Sequence, residues 1–107
     1  MAQIIPLGFV TANNAALTGN VPAPAVGVLR CNKVLVQAVP QANATDYVYV
    51  GLNGLNKTTG AQVIAILQPG QSAVIGDERD SNTIDPTALA VDSVSGVAQV
   101  TGLLYRR

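Results

Sequence analysis

The sequence predicts an all-β fold: a small antiparallel β-sandwich or jelly-roll-like barrel with an extended N-terminal arm. Three observations lead there. Apolar runs of strand length, rich in Val, Ile and Tyr, recur along the chain. Pro, Asn and Gly punctuate them, residues whose backbone preferences suit turns. No stretch carries the apolar stripe of an amphipathic helix. Roughly six to eight short strands with frequent turns describe a sandwich or a small barrel.

From the N-terminus, Ala2–Thr11 is apolar but broken by Pro6 and Gly8. Proline cannot donate to a central ladder, so this run predicts an edge strand or an extended arm. Residues 12–25 are uncharged and rich in Ala, Asn, Gly and Pro, without a clean alternation. Residues 1–25 are therefore expected to form an arm that orders against a neighbour, and residues 26–107 the sandwich. Val26–Leu29 is a short strand candidate. Val34–Val39, Tyr47–Leu52 and Gln62–Leu67 follow and predict a β-meander. Asn53-Gly54 signals a tight type I′ hairpin turn between the last two, since both residues tolerate positive φ.

Alternation puts Val48, Val50 and Leu52 on one face of the second run, with Tyr47 and Tyr49 on the other. The third run is apolar on both faces, Val63, Ala65 and Leu67 opposing Ile64 and Ile66, and so wants cover on both sides. In a domain this thin, one of those covers is expected from another subunit. Gln68-Pro69-Gly70-Gln71 predicts a turn with Pro in its second position and Gly at positive φ in its third. Ser72–Ile75, Ala88–Val94 and Val97–Tyr105 complete the strands, the last two joined through Ser95-Gly96.

Composition bounds the function. At 107 residues the chain is expected to be one domain. Hydrophobic residues make up 49% of it and charged residues 11%, against about 25% charged in an average globular domain. A small domain so poor in charge leaves apolar surface outside its own core, and contiguous exposed apolar surface marks an interface. Formal net charge is zero, so there is no basic footprint for nucleic acid. No window reaches the ~18 uninterrupted apolar residues of a membrane span, so no membrane partner is expected. Met1–Pro6 lacks the positive start of a secretory signal. The single cysteine, Cys31, has no intrachain disulfide partner. A small hydrophobe at a strand start is its expected role, ahead of a thiol activated by Arg30 and Lys33. Asn43-Ala44-Thr45 and Asn56-Lys57-Thr58 match the glycosylation pattern but are read as turn chemistry.

Candidate chemistry is sparse. The chain has no histidine, which removes His-based triads and imidazole metal sites. Asp77, Glu78 and Asp80, with Asp85 nearby, offer oxygen ligands of the kind Ca²⁺ prefers. Their spacing is not that of an EF-hand and Arg79 would oppose a cation, so a solvated loop is expected instead. No metal, cofactor or catalytic residue is expected. Of the aromatic residues, Tyr47 and Tyr49 are candidates for a sugar-binding platform, although packing within the sheet or across an interface is the expected role.

One pattern extends beyond composition. Val34-Leu35-Val36-Gln37-Ala38, Asn43, Tyr47-Val48-Tyr49-Val50-Gly51, Leu67-Gln68-Pro69-Gly70-Gln71-Ser72 and the closing Leu104-Tyr105 resemble the small β-sandwich structural proteins of tailed bacteriophage virions. The resemblance spans residues 30–105 and rests on turn and strand signatures. It implies a structural virion component: a capsid decoration or cement protein, or a head or tail accessory protein. It also implies the major capsid protein or other virion proteins as partners, a homo-oligomer, and a place on the capsid surface after synthesis in the host cytoplasm. Interface candidates are then Ile4, Ile5, Leu7 and Phe9 of the arm, with Tyr47 and Tyr49 of the central strand. A carbohydrate- or receptor-binding sandwich of a head or tail accessory protein is the alternative.

Overall fold

The computed structural model of the chain describes residues 3–19, 21, 31–40, 45–76 and 84–106. Nine strands lie among them: β1 (Gln3–Pro6), β2 (Val10–Thr11), β3 (Ala15–Ala16), β4 (Lys33–Ala38), β5 (Val48–Leu52), β6 (Val63–Leu67), β7 (Ser72–Gly76), β8 (Leu89–Ser93) and β9 (Gln99–Arg106). One sheet runs β1-β9-β4-β7, with β2 also on β9, and the second runs β3-β8-β5-β6. All strand pairings are antiparallel.

The pairings β5–β6, β4–β7, β3–β8 and β1–β9 are nested in the sequence. The chain is thus one long hairpin with its tip at residues 53–62, rolled so that β4 meets β9 and β5 meets β8. That nested and rolled order is a jelly roll, two sheets packed face to face. The expected all-β sandwich is therefore the fold, in its jelly-roll form.

Alternation fills the space between the sheets. Val34, Val36 and Ala38 of β4 and Val100 and Leu104 of β9 point inward, meeting Val48 and Val50 of β5 and Leu89 and Val91 of β8. The buried core is aliphatic. All four aromatic residues stay out of it: Phe9 is 61% exposed, and Tyr47, Tyr49 and Tyr105 are half-buried. Cys31 is fully buried just ahead of β4, bridging backbone to backbone with Ile84, as expected of a small hydrophobe.

The N-terminal segment departs from expectation. Over its described residues it is part of both sheets, not an arm beside them: β1 and β2 pair with β9, and β3 pairs with β8. Leu7, Val10, Ala12 and Leu17 lie in the core. Pro6 and the glycine at 8 interrupt the alternation without excluding the segment, because β1 is an edge strand whose outer side needs no donor. Val26–Leu29 lies outside the described residues.

The expected meander is also redistributed. β5 and β6 form its hairpin, but β4 joins the other sheet between β9 and β7. The connection after β4 is long enough to cross the roughly 10 Å between packed sheets, so neighbours in sequence become facing layers. Nor do Asn53-Gly54 close the hairpin. They form a turn in which the Leu55 amide donates to the Leu52 carbonyl at 3.0 Å. Gly54 has φ +86° while Asn53 stays at negative φ, the pattern of a type II turn rather than type I′. A longer loop then returns to β6. Within it the Asn56 side chain accepts from the amides of Thr58 and Thr59 at 2.9 and 3.1 Å, the turn chemistry expected there.

The register against β6 shifts between Val50 and Gly51, where one step along β5 spans two along β6, while the register against β8 stays continuous. Gly51 is buried, and Leu52 keeps the face of Val48 and Val50, as expected, pairing with the buried Leu89 and standing exposed where the strand ends. An added Cβ on Gly51 would stand 2.0 Å from the Gln62 carbonyl oxygen, so only glycine admits this approach. The Pro69-Gly70 turn forms as expected, with Gly70 at φ +89° and the Gln71 amide donating to the Gln68 carbonyl at 2.9 Å. It carries the chain from β6 in one sheet to β7 in the other.

Candidate interaction surface

Each sheet has an outer face, and the register determines what lies on it. In the first sheet, Pro6 of β1 pairs with Leu103 of β9, Leu103 with Leu35 of β4, and Leu35 with Val74 of β7. Their neighbours along each strand point inward, so these four form an apolar row across the whole outer face. Pro6 and Val74 are exposed at its ends, and Leu35 and Leu103 are half-buried between them. The adjacent row holds Ile4, Tyr105 and Lys33. The Lys33 ammonium sits 4.1 Å from the Tyr105 ring centroid, a cation–π contact that keeps this charge against the sheet.

In the second sheet, Asp92 of β8, Tyr49 of β5 and Ile66 of β6 form one outer row, and Ile64 lies beside Ile66. Lys57 reaches from the loop to within 3.5 Å of the Asp92 carboxylate and donates to the Ser93 carbonyl at 2.7 Å. Polarity therefore falls across this face, from an ion pair over β8 to bare isoleucines on β6. Ile64 is 49% and Ile66 57% exposed, so the strand read as apolar on both faces does present one of them uncovered.

The six interface candidates do not form one patch. Ile4 lies on the outer face of the first sheet and Phe9 is exposed between β1 and β2. Ile5 faces inward and packs against the core. Leu7 is only 1% exposed, so its side chain is consumed by the protein's own packing and is withdrawn as an interface residue. Tyr49 belongs to the outer face of the second sheet, on the opposite side of the sandwich from Ile4, and Tyr47 precedes β5. Leu35, Leu103 and Val74 were missed. Alternation sets them on the opposite face from Val34, Leu104 and Ala73, but it marks neither which face is outer nor the alignment of one such residue with the next.

Buried polar groups hold the loop after β8. The Asp46 carboxylate accepts from the Ser95 amide at 3.1 Å and the Ser95 hydroxyl at 2.6 Å. The Ser93 hydroxyl donates to the Ala12 carbonyl at 2.6 Å and accepts from the Gly96 amide at 2.9 Å. Each of these polar groups is thereby paired within the protein. Asp85 caps a short 3₁₀ turn, accepting from the Thr87 amide and hydroxyl at 3.0 and 2.6 Å. The expected acidic loop of Asp77, Glu78 and Asp80 lies outside the described residues, and among those described no group of three metal-ligating side chains occurs.

A two-sheet jelly roll with an apolar row across one outer face is the class of protein these observations define. No family model, curated protein or solved structure matches the chain.

Proposed function

We propose that this chain is a structural virion protein that decorates or cements a capsid surface, with the major capsid protein or another virion protein as its partner. The observation that carries the reading is the apolar row Pro6–Leu103–Leu35–Val74 across the outer face of the first sheet. In a chain with 11% charge, such a row is surface that favours cover by another protein. Burying it contributes about 25 cal/mol per Å² before association costs. Many identical copies set across subunit junctions would add contacts that break together, which resists expansion of a shell.

The jelly roll is a fold of viral capsid domains and of lectins alike, so architecture alone does not separate the two readings. The burial of the tyrosines favours the first. A sugar platform needs an open ring face, whereas Tyr47 and Tyr49 are half-buried, and Tyr49 stands between Ile66 and Asp92.

The test compares particles prepared with and without this protein under heating and under chelation. Particles that carry it are expected to withstand more of both. Equal resistance would remove the cement role. A protein that ignores particles but binds a glycan array would replace the proposal with the carbohydrate-binding reading.

A further inference from the structure

β6 and β7 are edge strands of different sheets, joined by the Pro69-Gly70 turn and so lying on the same side of the sandwich. Exposed strand edges invite pairing with another chain, and proteins blunt them with charges, prolines or very short strands. The opposite side of this molecule is blunted in that way: β1 contains Pro6 and β3 has only two residues. The β6–β7 side is not. Residues 63–76 carry no Asp, Glu, Lys or Arg, neither strand contains proline, and each is five residues long. Among the described residues, neither strand has a second neighbour.

The sequence of this side is self-complementary. An antiparallel pairing of β6 with a second β6, centred on Ala65, sets Val63 against Leu67 and Ile64 against Ile66. The same pairing of β7, centred on Val74, sets Ala73 against Ile75 and Ser72 against Gly76. Ala65 and Val74 lie equally far along the chain from the Pro69-Gly70 turn. One two-fold axis running through both sheets therefore serves both edges at once. The rotation keeps outer faces outward, so the exposed isoleucines of the two copies meet side by side.

From this we infer that the β6–β7 edge is a homodimer interface, in which a second copy of the chain extends both sheets about a two-fold axis through Ala65 and Val74. The ladder hydrogen bonds give affinity, and the Ile64–Ile66 pairs set the register. This inference does not depend on the virion reading. It concerns the free protein, so the two fail separately.

The test uses charge at positions 64 and 66, which face each other across the axis. The wild-type chain is expected to sediment as a dimer. I64K/I66K and I64E/I66E each place like charges opposite one another and should sediment as monomers with unchanged circular dichroism. Their equimolar mixture should recover a heterodimer, and I64E/I66K, which complements itself, should dimerise alone. A wild-type monomer at roughly millimolar concentration would overturn the inference. So would an I64K/I66K variant that stays dimeric, or a mixture that stays monomeric while both chains remain folded.

Discussion

Gly51 and Gly54 lie three residues apart and are held by different physics. At Gly51 the obstacle is space: the Gln62 carbonyl oxygen occupies the place of a Cβ, and a backbone atom cannot rotate away. At Gly54 the space is open, with no atom within 4 Å of an added Cβ, and the constraint is its φ of +86°. G54A is therefore expected to cost only left-handed strain, about 1–2 kcal/mol. G51A must move one strand against another, which costs up to about 3 kcal/mol or more. Thermal unfolding of the two variants should rank G51A as the less stable, and equal melting temperatures would mean that the backbone at this register shift relaxes. Asp46 is a third such residue, because its buried carboxylate takes both donors of Ser95. D46A should lower stability in urea by about 1.5–3 kcal/mol, the range for hydrogen bonds to a charged group.

Among the elements, the N-terminal strands have the largest consequence for their length. β1, β2 and the residues between them line β9, and the amide of Leu7 continues the ladder by donating to the Gly102 carbonyl at 2.9 Å. Deleting residues 1–19 strips Leu7, Val10, Ala12 and Leu17 from the core. A single buried leucine truncated to alanine costs about 2–5 kcal/mol, while a whole domain is stable by only about 5–15 kcal/mol. The truncated chain is expected to be unfolded by circular dichroism. A cooperative melt near that of the full chain would restore the reading of this segment as an arm. The segment was hard to read because its strands are two to four residues long, too short for alternation to register against Pro6, Gly8 and the asparagines. β4, β7 and β9 were legible as strands because each is a run of five or more residues rich in Val, Ile and Leu. With Leu35, Val74 and Leu103 apolar as well, their sequences do not tell the core face from the outer one.

For the whole molecule, the outer face of the first sheet and the β6–β7 edge are separate surfaces, and substitutions can separate their roles. Leu35 lies in the middle of the apolar row, one strand in from the edge. L35K should leave the fold intact, since a lysine stem can lie along the sheet with its ammonium in water. It should weaken binding of the chain to particles while leaving self-association unchanged. If L35K binds particles as the wild-type chain does, the row is not the contact surface and the decoration reading loses its main support.

Local chemistry was enough to determine the strand class, the turn between β6 and β7 and the excess of apolar surface. Pro69-Gly70 turns where its residues require, and Ile64 and Ile66 are apolar on a face their own sheet does not cover. Tertiary structure alone decided which strands pair. A strand's side chains do not record which neighbour supplies the ladder, because every backbone offers the same donors and acceptors. β4 therefore left its apparent partner for β7 and β9, and the N-terminal segment completed both sheets. Only after that pairing did Pro6, Leu103, Leu35 and Val74, scattered over 98 positions of the chain from first to last, become a single row.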